Sequence, residues 1–420
     1  MTSTFQVIPK IVFDSLEHLD NPFNQKVFDT TMFFQSEEKS LPRSEIDYEY
    51  AWKFLYSYNG SSATFNSYRR EIERIILWSW HIHKSSILDL KREDIEQYIS
   101  FCISPPKNWV GIKNVARFKL MNGERLQNPD WRPFVVSVKK DEARKGVRPS
   151  VKDYIFSQAG IQATFSILSS FFNFLIQEEV ITMNPVALIR QKSKFIKKQQ
   201  HKAPVRRVSN LQWEYVIEKI EELANKHPEK YERSLFIIKC LFTMYLRISE
   251  LVADERSTPV MSDFRKDIDG NWWLHVTGKG NKNRIVTVSE DMLQSLKRYR
   301  RFLDQSSLPV MGDMTPILPK ILGKGPITST RIVRSIVQDC FDIAYNKMKE
   351  DGLEEDAQEL KVATVHWLRH TGISEDVKTR PREHVRDDAG HASMQTTDRY
   401  IESDLRERHA SGKNKRSKNL

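Results

Sequence analysis

The sequence predicts a mainly α-helical (α+β) protein with two domains and one small antiparallel sheet. Its 420 residues are enough for two or three domains. Apolar side chains recur at helical spacing, as in residues 160–179 and 328–349, which predicts amphipathic helices. Residues 272–288 differ, because W-W-L-H-V-T alternates, G-K-G-N-K-N is typical of a turn, and R-I-V-T-V follows. We therefore expect a β-hairpin with Lys279 and Lys282 in its turn.

Composition narrows the class of partner. The chain holds 66 Lys and Arg against 55 Asp and Glu, a net charge of +11, which favours nucleic acid. A generic basic cytosolic protein is the alternative that composition leaves open. The three cysteines lie far apart without a C-x-x-C motif, so we expect no disulfide framework, no thiolate zinc site and a cytoplasmic location. The N-terminus has no secretory segment and no apolar run reaches about 18 residues, so we expect no membrane partner.

Charge and composition also divide the chain into segments. In order, these are an acidic N-terminal arm (1–49), a helical domain (50–188), a basic linker (189–207), a second domain (208–402) and a basic C-terminal tail (403–420). Within the helical domain, residues 103–150 are rich in Pro, Gly, Trp and Lys, and we expect a long loop or extended insertion there.

The basic linker is the clearest candidate for contact with a DNA backbone. It holds eight bases and no acid, and we interpret it as a strap across the phosphates rather than a solvated tether. Eight phosphate contacts would give a salt slope of about −7. The basic side chains predicted to bind DNA, in the first helices, the linker and the hairpin, are Arg69, Arg70, Lys192, Lys194, Lys197, Lys198, Arg206, Arg207 and Lys282. We expect base readout from the helices at 68–74, 160–179 and 328–349.

Residues 364–401 hold the densest set of groups able to bind a phosphate. His366 and Arg369 stand at i and i+3, so both lie on one face of a predicted helix. His391 follows a glycine further along and can hydrogen-bond a non-bridging oxygen. Tyr400 comes nine residues after that histidine and offers an oxygen nucleophile.

A second guanidinium comes from Arg247 in L-R-I-S-E-L. Two such forks can grip the non-bridging oxygens of a phosphodiester. The Tyr400 phenol, with an ordinary pKa of about 10, needs a base or a positive field, and His366 is the candidate base. Lys279 could protonate the departing sugar oxygen. The product would be a covalent phosphotyrosine, whose formation requires no metal, nucleotide or other cofactor.

Together these motifs resemble the tyrosine recombinases, or phage integrase family, over residues 208–402 and more loosely over 50–200. By this resemblance the catalytic residues are Arg247, Lys279, His366, Arg369, His391 and Tyr400. The resemblance implies a C-shaped two-domain clamp, with a helical core-binding domain and a helical catalytic domain that carries a small sheet. It also implies a site-specific integrase-like enzyme of a mobile element, acting as a tetramer on double-stranded DNA with paired half-sites. The need for accessory proteins stays open.

The sequence departs from the family pattern in places. Tyr245 stands two residues before the first arginine, where the family often has glycine, and Ala389 replaces the usual leucine before Gly-His. The segment after the first arginine is longer than usual, and the 103–150 insertion is not typical. None of these changes removes a catalytic group.

Three other classes of protein remain as alternatives. A type IB topoisomerase or a hairpin telomere resolvase would share the tyrosine chemistry. A DNA-binding architectural or regulatory protein could use the same scaffold without strand exchange. A metal-dependent nuclease could use His366, His370 and His391, with Asp387 and Asp388 nearby.

Overall fold

The computed structural model describes residues 7–19, 43–138, 142, 146–187, 189, 195, 206–278, 282–401 and 412–413. The chain divides into two compact units, residues 1–200 (unit 1) and 201–420 (unit 2), and the division falls inside the predicted basic linker. The prediction of a mainly helical chain with small sheets is confirmed.

Unit 1 is built on four α-helices in its described residues, which are α1 (Ser44–Tyr56), α2 (Ser62–Trp78), α3 (Arg92–Ile103) and α4 (Gln158–Gln177). The hydroxyl of Ser61 accepts a hydrogen bond from the Thr64 amide and caps the start of α2. A π-helical turn at Ser79–His83 follows α2 and ends at Lys84. Because α1 spans Ser44–Tyr56, the predicted boundary between the acidic arm and the helical domain, at residue 50, falls inside this helix.

Helix α4 supplies much of the core of unit 1. Its apolar side chains, expected to be core residues, are buried: Phe165, Leu168, Phe171, Phe172 and Leu175. By length and composition alone α4 could cross a membrane, a test that buried core helices also pass. None of its 20 residues is Asp, Glu, Lys or Arg, and we interpret it as a core helix because its largest side chains pack inside the unit.

The 103–150 insertion contains β-structure where the sequence led us to expect a loop or extended segment. Strands β1 (Val110–Gly111) and β4 (Phe134–Val135) pair in parallel, and β2 (Phe118–Met121) and β3 (Glu124–Gln127) form an antiparallel hairpin. Asn122 and Gly123 turn this hairpin with φ of 52° and 82°, as a type I′ turn requires. Trp109 is fully buried and anchors the insertion in the core.

Residues 7–19, from the predicted acidic arm, pack against unit 1. Ile11, Val12 and Phe13 are buried. The Val12 amide donates to Glu73 at 2.7 Å, and the Arg125 guanidinium forms a two-pronged ion pair with the Asp14 carboxylate. Residues 7–19 are therefore held on unit 1 by hydrogen bonds of the backbone and by the ion pair of Asp14.

Unit 2 contains eight α-helices in its described residues, which are α5 (Asn210–Lys226), α6 (Pro228–Thr243), α7 (Glu290–Phe302), α8 (Thr330–Glu350), α9 (Glu354–Val362), α10 (Val365–Asp376), α11 (Arg382–Ala389) and α12 (Met394–Ile401). Its antiparallel sheet has the strand order β5 (Phe264–Lys266), β6 (Trp272–Thr277) and β7 (Asn283–Thr287). The predicted hairpin is confirmed as β6 and β7, with Thr277 opposite Asn283 at its end. Lys279 lies outside the described residues.

Helix α10 lies directly against α6 because Gly372 has no side chain. A Cβ atom at this position would lie 2.0 Å from the Phe242 carbonyl oxygen, a backbone atom that has no room to move aside. Since α10 carries His366 and Arg369, this close approach fixes their position relative to the end of α6.

We predict that Gly372→Ala lowers the free energy of unfolding of unit 2 by about 3 kcal/mol, because the added methyl forces two packed helices apart. Urea unfolding of the full chain, followed by tryptophan fluorescence, measures the change. Gly60→Ala is the matched control, since a Cβ at Gly60 meets no atom within 4 Å. Equal unfolding midpoints for the two variants would contradict this account of the α6–α10 contact.

Candidate active site

Arg247 lies just after α6, at the start of the short 3-10 helix Ile248–Glu250. Its backbone amide and its guanidinium both donate to the Glu250 carboxylate, at 2.7 and 3.0 Å. A further guanidinium nitrogen donates to the Gly390 carbonyl at 3.3 Å. The side chain keeps 32% of its surface exposed, so the guanidinium is oriented by the protein and still accessible to a ligand.

Tyr245 adopts a backbone conformation that favours glycine. Its φ is 49°, in the left-handed region, which gives a physical reason for glycine at this position in the family pattern. The side chain is buried, and its hydroxyl hydrogen-bonds to Asp376 and accepts from Arg380. Burial, and then the charge of Asp376, raises the pKa of Tyr245, so this phenol stays protonated. The buried ring and its hydrogen bonds compensate for the unfavourable φ.

Arg369 is buried on α10, where both terminal nitrogens donate to backbone carbonyls, those of Tyr245 and Ala389. These bonds use two of the five N–H groups of a guanidinium. Burial, and then the nearby charge of Arg247, lowers its pKa to about 10, so it remains charged at neutral pH. Because Arg369 and Arg247 bind the carbonyls of consecutive residues, Ala389 and Gly390, the two guanidiniums converge at one turn.

Glu250 connects the first arginine to the sheet. Its carboxylate is 1% exposed and accepts from both terminal nitrogens of Arg284 on β7, at 2.6 and 2.8 Å. Burial by itself would raise the pKa of Glu250, but the hydrogen bonds and charge of Arg284, followed by Arg247, make the net shift downward. Arg284 also donates to the Asp388 carbonyl at 2.9 Å. No role was predicted for Arg284 from the sequence, although it begins the R-I-V-T-V run of the hairpin.

Tyr400 lies on α12 with 6% of its surface exposed, surrounded by histidine side chains. Its hydroxyl is 2.6 Å from Nδ1 of His370. Its ring stacks on that of His391, with 5.7 Å between centroids and 13° between planes. His366 packs edge-on against His370, at 4.3 Å between ring centroids. The nucleophile predicted from sequence therefore lies inside the cluster formed by α10 and the turn after α11.

The two predicted histidines lie in positively charged, half-buried surroundings. Burial, and then the charges of Arg369 and Arg247, lowers the pKa of His391 to about 4. The same two causes lower the pKa of His366. Nδ1 of His391 is 2.9 Å from the Thr397 hydroxyl, which fixes the orientation of this ring. Both imidazoles are thus neutral at pH 7 and able either to donate or to accept a hydrogen bond.

The structure brings five of the six predicted catalytic residues together, namely Arg247, His366, Arg369, His391 and Tyr400. Lys279, the sixth, lies outside the described residues, although β6 and β7 on either side of it are in place. His370, which hydrogen-bonds to the Tyr400 hydroxyl, was considered from the sequence only as a metal ligand in the alternative of a metal-dependent nuclease. Among the described residues, no group of three or more His, Cys, Asp or Glu could hold a metal ion.

The residues predicted to bind DNA differ in how exposed their side chains are. Arg69 is buried and donates to the Asp14 carbonyl at 2.6 Å, so it holds the N-terminal segment and its prediction as a DNA contact is wrong. Arg70 is 54% exposed and pairs with Glu71. Arg206 and Lys282 are exposed and Arg207 is partly buried. The linker lysines, Lys192, Lys194, Lys197 and Lys198, lie outside the described residues.

Comparison with known proteins places this geometry in context. No family model matches the sequence. The chain is 25% identical over 215 residues to tyrosine recombinase XerC of Chlorobaculum parvum, a match covering 50% of this chain and 55% of that protein. It is 27% identical over 238 residues to XerC of Leptospira interrogans, covering 56% and 65% respectively. The chain thus spans about half to two thirds of the length of these relatives.

A solved structure shares the fold across most of the chain. The crystal structure of the XerH site-specific recombinase, bound to a palindromic difH substrate after cleavage, aligns with a TM-score of 0.53 at 15% identity. The alignment covers 93% of this chain and 90% of XerH. The chain is thus similar in sequence to tyrosine recombinases and shares the fold of XerH. The cluster around Tyr400 is built from residues that the family resemblance in the sequence assigned to the active site.

We predict that Glu250→Gln destabilises the protein by about 3–5 kcal/mol at pH 7, because two arginines lose a buried counter-charge. A carboxylate whose folded pKa is lowered stabilises above its ordinary pKa of about 4.3, and this stability is lost as pH falls through the lower folded value. The difference between wild type and variant should therefore narrow below about pH 4.

Urea unfolding of both proteins across this pH range measures the effect. Glu383→Gln, which changes an exposed glutamate at the start of α11, is the control and should leave stability within about 0.5 kcal/mol of wild type. A Glu250→Gln protein as stable as this control at pH 7 would show that Glu250 does not hold the two arginines.

Proposed function

We propose that this protein is a site-specific DNA recombinase that cleaves and rejoins strands through a covalent 3′-phosphotyrosine at Tyr400. The observation that carries the proposal is the position of the Tyr400 phenol. It lies in one cluster with His391 and with the turn at which the Arg247 and Arg369 guanidiniums converge. An oxygen nucleophile beside two fixed cations is the arrangement that attack on a phosphodiester requires.

The arginines would stabilise charge as it develops on the phosphate. Arg369 is fixed by two backbone carbonyls and Arg247 by a buried carboxylate, so neither has to reorganise when the substrate arrives. Pre-organised donors of this kind typically contribute about 3–4 kcal/mol each to lowering a barrier. His391, neutral and oriented by Thr397, is placed to donate a hydrogen bond to a non-bridging oxygen.

The hairpin would deliver the proton that the departing sugar oxygen needs. Arg284 lies on β7 six residues from the start of α7 and binds Glu250, so the strand is joined to the same carboxylate as Arg247. We propose that Lys279, in the turn between β6 and β7, is the acid for this step.

We further propose double-stranded DNA with paired half-sites as the substrate and a tetramer on DNA as the acting form, in the cytoplasm. The net charge of +11 favours a polyanion. The palindromic substrate of the XerH complex supports half-sites that are related by symmetry. Exposed Arg206 and Lys282, together with the linker lysines, are the proposed backbone contacts.

We predict that Tyr400→Phe abolishes covalent attachment to DNA while leaving DNA affinity unchanged, because it removes one oxygen atom and keeps the ring. Since the target sequence is unknown, the probe is sheared genomic DNA that includes the region flanking the gene. Complexes that survive denaturing detergent are captured, and sequencing of their DNA gives the cleavage site.

Tyr215→Phe is the matched control, because it removes a phenol oxygen on α5 that bonds to Asp351, away from the cluster. Adduct formation by the Tyr400→Phe protein would reject this tyrosine as the nucleophile. If wild type binds DNA but forms no adduct, the architectural alternative is favoured. Relaxation of supercoiled plasmid without a preferred site would favour a topoisomerase.

A further inference from the structure

The hydroxyl of Tyr400 contacts a histidine other than the one that sequence spacing suggested as its base. His366 was the candidate, yet the ring nitrogen 2.6 Å from the phenol oxygen is Nδ1 of His370, one helical turn further along α10. The rings of His370 and Tyr400 are 5.4 Å apart between centroids and inclined by 43°. This inclination is compatible with a hydrogen bond at the ring edges and differs from the stacked contact with His391.

The chemistry of the two groups sets what a general base would require of this hydrogen bond. A phenol O–H can donate, and a neutral imidazole has one nitrogen that can accept. In the tautomer that suits this role, Nδ1 of His370 accepts from the phenol and Nε2 carries the ring proton. The accepting nitrogen already lies at the distance from which a general base removes a proton.

The neighbouring imidazoles are placed for other tasks. His391 presents its face to the Tyr400 ring, and its Nδ1 bonds to Thr397. His366 meets His370 edge-on at 4.3 Å between centroids and lies on the same face of α10, four residues earlier. His366 therefore packs against His370, whereas His370 contacts the nucleophile.

We propose that His370 is the general base that activates Tyr400, an inference that rests on the proposed function. In the forward step the phenol O–H bond breaks and its proton moves to Nδ1 of His370. The phenol oxygen forms a bond to phosphorus, the bond from phosphorus to the 5′ oxygen breaks, and that oxygen takes a proton from Lys279. Rejoining reverses each transfer, so His370 returns the proton to the phenol and no external reagent is consumed.

A substrate with a sulfur leaving atom separates the base from the acid. The probe is a nicked duplex carrying the trapped cleavage site, with the 5′ bridging oxygen replaced by sulfur, because a thiolate departs without a proton. On this substrate the rate of adduct formation reports attack by the phenol. Lys279→Ala should recover most of its activity here, whereas His370→Asn and His370→Ala should both stay slower than wild type by about 100-fold or more.

Asparagine at 370 decides between chemistry and mere positioning. Its side-chain oxygen can accept the phenol hydrogen bond, but it cannot retain a proton, so a general base is lost while the contact is kept. His384→Asn, which changes an exposed histidine on α11, is the matched control and should keep the wild-type rate. Equal DNA affinity and equal thermal unfolding of these variants show that the fold is intact. If the alanine variant is unstable, the asparagine variant still gives the answer.

The outcomes separate this proposal from the function on which it rests. If the wild-type protein forms no adduct with genomic DNA or with the sulfur-containing duplex, the recombinase function is rejected, and the role of His370 with it. A wild-type protein that forms adducts, together with a His370→Asn variant within about 3-fold of its rate, rejects His370 as the base and leaves the recombinase function standing.

Discussion

The buried ion pair between Glu250 and two arginines is the interaction on which the site depends. Arg247 follows helix α6, and Arg284 lies near the start of β7, so one carboxylate joins a helix end to the sheet. A buried carboxylate is costly unless its charge and lone pairs are satisfied, and here both arginines and the Arg247 amide satisfy it. These bonds to Glu250 therefore hold one geometry. In it, the Arg247 guanidinium also donates to the Gly390 carbonyl, and strand β7 is fixed relative to the end of α6.

The second constraint is the close approach of α6 and α10. Gly372 allows α10 to touch the backbone at Phe242, and Tyr245 turns the chain through a left-handed residue immediately after α6. This turn points the Tyr245 carbonyl at Arg369, so Tyr245 accepts a hydrogen bond from the second guanidinium. The departure from glycine at this position thus keeps the backbone conformation that glycine would adopt and adds a side chain that bonds to Asp376 and Arg380.

The histidines around Tyr400 make different contacts because these constraints fix where each ring lies. Three imidazoles, those of His366, His370 and His391, surround one phenol or the groups beside it. Burial, and then the charges of Arg369 and Arg247, lowers the pKa of His366 and of His391. A neutral imidazole accepts a proton or donates a hydrogen bond according to what faces each nitrogen. The positions of the rings, and not their residue type, decide which of them hydrogen-bonds to the nucleophile.

The sequence by itself determined the residue types, the order of the motifs and most of the local structure. The alternation of W-W-L-H-V-T and the turn signal after it specified the hairpin, and the i, i+3 spacing put His366 and Arg369 on one helix face, because these signals are local. Spacing could not choose between His366 and His370 as the partner of Tyr400, since residues four apart share that face and the choice depends on how α12 packs. Nor could it show that Arg69 is buried, because its partner is a backbone carbonyl 55 residues away. Contacts of that kind are decided by the tertiary structure alone, since nothing in the local pattern of charge records which group will lie opposite.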